Sequence, residues 1–108
     1  MNDSRLQQVE QMLADDPQDT FLRYAYALEL QKADRSDECL DRLTDLMADQ
    51  PPHVPSFFMA AQQLVVAGET GQARELLEQG IQHAQQQGNL HAAAEMGELL
   101  ASLPSEEI

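Results

Sequence analysis

Three histidines, one cysteine and a row of aspartates are the side chains with which this chain could do chemistry. His53 falls in a loop, His83 on a helix and His91 at a helix start. A zinc site needs several such ligands at fixed spacing, and none of the three has a second His, Cys or carboxylate placed that way. Asp37, Asp41 and Asp45 follow one another at i, i+4, with Glu38 and Asp49 close by, the outline of a cation site. A straight helix sets such carboxylates in a row, whereas a calcium cage needs a loop that curls around the ion. A solvated outer face is the expectation. Cys39 stands alone, so it has no partner for an internal disulfide and no evident activating base. No glycine-rich phosphate loop and no Ser–His–Asp arrangement is present. The expectation is no catalytic residue, no metal, no cofactor and no enzyme; a metal held on the acidic segment 36–49 is the catalytic alternative.

The elements that would position these residues follow from composition. At 108 residues the chain reads as one domain, 1–108, and with 43% hydrophobic residues it can bury a core without disulfides or metals. Strand formers are scarce while Ala, Leu, Gln, Glu and Met dominate, so the chain reads as all-α. Nineteen acids against six bases give a formal charge of −13. Such a chain is repelled by nucleic-acid phosphates and by anionic membranes, so neither is expected as a partner. The start, MNDSRLQQVEQ, has neither the basic nor the apolar region of a signal peptide. No apolar run approaches the ~18 residues of a membrane span. A cytoplasmic address is expected.

The stretch ADDPQDTFLRYAYA, 14–27, is echoed by ADQPPHVPSFFMAA, 48–61. Pro17 and Pro51 stand 34 residues apart, and the same shift pairs Ala27 with Ala61, Leu30 with Leu64, Cys39 with Ala73 and Leu43 with Leu77. The pairing with Ala73 predicts a buried, inert Cys39 rather than a nucleophile. A period of 34 with helix–turn–helix content resembles the tetratricopeptide repeat, whose pattern runs W-x2-L-G-x2-Y, A-x3-F, P. Those places hold Arg23, Tyr26, Ala27, Leu30, Cys39, Leu43 and Pro51 in the first copy. The second copy has Phe57, Ala60, Ala61, Leu64, Ala73 and Leu77. Arg23, where an aromatic is usual, and Gln85, where proline would stand, depart from the pattern. In the flanks Val9 falls on Leu43 and Met12 on Leu46, while Met96-Gly97-x2-Leu100 fits L-G-x2-Y after an insertion.

The resemblance implies a solenoid, an alpha-alpha superhelix of antiparallel helix hairpins. Its layout would be a half repeat 3–18, repeats 19–52 and 53–87, and a capping helix 89–102. Helices are expected at 3–15, 19–33, 36–49, 54–67, 71–87 and 89–102, with Pro55 opening the fourth. Gly68 and, in the equivalent place, Asp34 are expected to close helices in the left-handed conformation.

Family members bind peptides or proteins on the concave face lined by the first helix of each repeat. Mapped onto this chain, the groove would carry Phe21, Tyr24, Leu28 and Lys32, then Phe58, Met59, Gln62, Val65 and Val66. The lysines and asparagines with which chaperone-binding members clamp a peptide carboxylate are missing: Tyr24, Leu28 and Met59 stand in those places. The implied function is a non-catalytic adaptor or scaffold that takes an apolar or amphipathic segment, with the acidic surround favouring basic or neutral partners. Three covers for so apolar a face are weighed: a protein or peptide partner, a second copy in a homodimer, or the chain's own end helix. The homodimer gives the alternative function, a self-assembling structural subunit.

Overall fold

The computed structural model describes residues 2–104, with side chains from Ser4 onward, so the ends of the 1–108 domain lie outside the described residues. These residues form six helices and no strands: α1 (Asn2–Asp15), α2 (Thr20–Lys32), α3 (Ser36–Met47), α4 (Val54–Val66), α5 (Thr70–Gln86) and α6 (Leu90–Ser102). The observed bounds depart from the expected ones by a residue or two. Two compact units contain them, Met1–Asp49 with α1 to α3 and Gln50–Ile108 with α4 to α6.

In the first unit α2 packs against both α1 and α3. Asp19 caps α2, its carboxylate accepting from the Leu22 N–H at 2.9 Å. The buried side chains are Leu6, Val9 and Leu13 from α1, Tyr26, Ala27 and Leu30 from α2, and Cys39, Leu43 and Leu46 from α3. Arg23, the residue that departs from the aromatic pattern, is tied instead to Asp49 by a forked pair at 2.7 and 3.2 Å. The buried Tyr26 satisfies its hydroxyl by donating to Glu10 at 3.1 Å, and the Arg42 guanidinium covers its ring 4.8 Å from the centroid.

One pairing fails. Met12 was expected to do in α1 what Leu46 does in α3, yet Met12 is 48% exposed and Leu46 fully buried. Helix α1 buries 6, 9 and 13, where the shift from α3 would bury 5, 9 and 12. The helix is turned about its axis, and the side chain this brings to the edge is Arg5, 3.7 Å from the buried Glu29 carboxylate. A guanidinium cannot take the sealed place Cys39 occupies, so α1 rotates.

In the second unit α5 packs between α4 and α6. Val54, Phe57, Ala60, Ala61 and Leu64 of α4 are buried with Ala73, Leu77 and Ala84 of α5 and Met96 of α6. Pro55 lies in the first turn of α4, where its missing N–H costs nothing. Gly80 is the closest point. A Cβ there would lie 2.6 Å from the Met96 sulfur and 2.7 Å from Phe57 Cβ, so the three helices meet at a residue without a side chain.

The helix ends repeat. Asp34 (φ 62°), Gly68 (φ 82°) and Gly88 (φ 76°) all adopt the left-handed conformation. The N–H that follows each bonds back to the helix it closes: Arg35 to Leu30 at 2.9 Å, Glu69 to Leu64 at 2.8 Å and Asn89 to Ala84 at 2.8 Å. These are Schellman closures, and the first two are 34 residues apart.

Candidate functional site

The residues with chemical potential are dispersed, some buried or paired and others in open solvent. Cys39 is fully buried, and burial pushes its thiol up to about 11, which withholds the nucleophilic thiolate at neutral pH. Asp37, Asp41 and Asp45 are exposed. Glu38 beside them is gripped by Arg35 at 2.6 and 2.8 Å, and that hydrogen-bonded guanidinium holds its carboxyl below the usual range. His53 Nδ1 lies 2.8 Å from Ser56 Oγ, and Ser56 is sealed from solvent. The His83 ring sits 5.3 Å from Phe57, and His91 reaches Glu95 at 3.7 Å on an open surface. Among the described residues no group of three His, Cys, Asp or Glu is placed to hold a metal ion. No helix there is long and apolar enough to cross a membrane.

What remains is apolar surface, and its two most exposed large side chains, Phe21 and Val66, belong to α2 in one unit and α4 in the other. On α2, Phe21, Leu28 and Lys32 share the side opposite the buried Tyr26 and Leu30, with Tyr24 flanking. Phe21 is 76% exposed while Tyr24 and Leu28 are half-buried. Burial raises the Tyr24 hydroxyl above its usual range, with a smaller push from the neighbouring Cys39. Lys32 is exposed and reaches the Glu29 carboxylate at 3.3 Å, which it shares with Arg5.

On α4, Pro55, Met59, Gln62 and Val66 form a row at i, i+4, i+7 and i+11, flanked by Phe58 and Val65. Val66 is 89% exposed, Pro55 and Gln62 are exposed, and Phe58, Met59 and Val65 are half-buried. The helix, VPSFFMAAQQLVV, contains no charged residue. The residues expected to face a partner thus fall in two sets, each on the outward side of its helix, and the most exposed apolar member is Phe21 in one and Val66 in the other.

Sequence reasoning missed Glu29 and Gly80. Glu29 is 8% exposed, and its carboxylate is matched by Arg5 and Lys32. Its spacing from Arg5 holds no helical clue, because the pair joins two helices. Gly80 did carry a signal: a glycine well inside a helix of 17 residues costs about 1 kcal/mol against alanine, which marks a close approach. Leu90, 69% exposed at the start of α6, was likewise not foreseen.

Set against protein-family models, curated proteins and solved structures, the chain matches none of them.

Proposed function

We propose that this chain is a tetratricopeptide-like repeat protein of helical hairpins that works in the cytoplasm as a non-catalytic adaptor or scaffold. Its partner is a protein or peptide that supplies an apolar or amphipathic surface. The observation that carries this reading is the exposed apolar character of α4, a helix without a charge, with Val66 almost wholly in solvent. A large apolar side chain left in water forgoes roughly 1.5–3 kcal/mol of burial, which a docked partner recovers. The repeated left-handed closures at Asp34 and Gly68, and the burial of Ala27 with Ala61 and Cys39 with Ala73, support the repeat assignment. Phe21 on α2 offers the first unit a contact of the same kind.

The test uses the two most exposed apolar members of the sets. Phe21→Ser and Val66→Ser are expected to keep the helical circular dichroism and the urea midpoint of the unmodified chain. Proteins that co-purify quantitatively with the unmodified chain should be depleted from one or both variants. If every co-purifying protein is retained equally by both, the adaptor reading is wrong. A dimer that dissociates on dilution in light scattering, and is lost in these variants, would give the lead to the self-assembling subunit.

A further inference from the structure

The occupant of the α4 face can be specified further from the charges around it, an inference that rests on the adaptor reading. In the second unit the described acids are Glu69, Glu75, Glu78, Glu95 and Glu98, all of them exposed, against the single base Arg74. Arg74 donates to the Pro104 carbonyl, and its single charge still leaves these acids in excess by four (5 − 1). Glu69 lies just beyond the row: the left-handed turn at Gly68 folds the chain back, and the Glu69 N–H bonds to Leu64 at 2.8 Å. An exposed carboxylate therefore sits at the Val66 end of the helix. That end also carries the partial negative charge of its carbonyls, and no basic residue in the last turn offsets it.

We infer that the outward row Pro55, Met59, Gln62 and Val66 docks a cationic amphipathic helix, a segment with a narrow apolar stripe flanked by lysine or arginine. The row spans eleven helical steps, about 16 Å, which three turns of a partner helix laid alongside would cover. An apolar stripe meets Met59 and Val66, and a cation at the Val66 end meets Glu69. A second copy of this chain fits poorly. Its formal charge of −13 brings like charge against like, and one acid-flanked face would be set on another. An acidic peptide is repelled for the same reason.

Two synthetic helical peptides that share one leucine stripe, flanked by lysine in the first and glutamate in the second, test this with the full chain. Titration calorimetry should give the lysine peptide at least a tenfold tighter Kd, and the advantage should shrink as NaCl is raised from about 50 to 500 mM. Amide shifts in NMR should concentrate on residues 56–66 and 69. Val66→Lys, at an exposed position, should weaken the lysine peptide while leaving the circular dichroism unchanged. Equal binding of both peptides at α4 overturns the cationic preference and leaves the adaptor reading standing. Shifts confined to the α3 aspartates overturn the α4 site. So does a concentration-dependent dimer lost in Val66→Lys, which makes a second copy the occupant. If neither peptide binds, the inference fails; the adaptor reading fails with it only if the co-purification test is also negative.

Discussion

Two glycines inside helices illustrate how far a single methyl group can act in opposite directions. Gly80 lies where α4, α5 and α6 converge, and an added Cβ would overlap the Met96 sulfur at 2.6 Å and Phe57 Cβ at 2.7 Å. The methionine can swing aside, but Phe57 Cβ is fixed to its backbone, so α4 must shift. Overpacking of this kind costs about 1–3 kcal/mol, more than the ~1 kcal/mol alanine returns in helix propensity. Gly97 of α6 has nothing within 4 Å of the same added atom. Gly80→Ala should lower the unfolding free energy by up to about 2 kcal/mol, and Gly97→Ala should raise it by up to ~1 kcal/mol. Urea denaturation of both variants checks this, and a stabilised Gly80→Ala would mean that the three helices are not in contact there. Gly97 stands where the repeat pattern places a small residue at a helix crossing. Ala61, its counterpart, is fully buried, whereas no neighbour approaches Gly97 among the described residues.

At the scale of elements, helix closure is the feature that repeats most faithfully. Asp34 and Gly68 hold the same backbone, but only glycine does so without a Cβ facing the following carbonyl. Gly68→Ala should destabilise the chain by about 1 kcal/mol even though the space around it is open. Asp34→Gly should be neutral to stabilising by up to ~1 kcal/mol. Equal and opposite urea shifts in the wrong order would show that Asp34 contributes more through its side chain than through its backbone. Gly68 was legible from residue type and Asp34 from its equivalent place in the repeat, as were the proline-led start of α4 and, to within two residues, the helix bounds. So were most of the buried positions of α2 through α5, those on which the repeat pattern falls, but not Glu29 or Gly80. The rotation of α1 was not legible, since it depends on Arg5 meeting Glu29 across two helices. Nor was the degree to which each side chain of the α2 and α4 faces stays wet. Spacing gives the side on which Tyr24, Leu28, Phe58 and Met59 lie, but only packing decides that they are half-buried while Phe21 and Val66 are not.

At the scale of the whole molecule, the two units differ in what can titrate above neutrality. Both tyrosines and the cysteine belong to the first: Tyr24, Tyr26 and Cys39. All three are raised by burial, the thiol from its ordinary value of 9.0 to about 11; Glu10, which accepts the Tyr26 hydroxyl, adds to the rise there. A group with a raised folded pKa favours the native state fully below its unfolded pKa, and that contribution is lost as pH climbs through the folded one. For the thiol the window runs from about 9 to about 11, and the phenols extend it upward from 10.0. Stability of the first unit should therefore be level between pH 7 and 8.5 and fall steadily above 9. The second unit, without tyrosine or cysteine, lacks this term. Urea midpoints followed by circular dichroism, alongside phenolate absorbance at alkaline pH, would read both events. Cys39→Ala, which copies the residue at position 73, should flatten the first part of the decline, and Tyr24→Phe the part above it. A midpoint that falls just as steeply once Tyr26→Phe is added to these two changes would place the alkaline sensitivity in the overall negative charge instead. In that case added salt, which screens the charge of −13, should restore the midpoint. Deprotonation of buried groups responds weakly to salt, so the two causes separate in one titration.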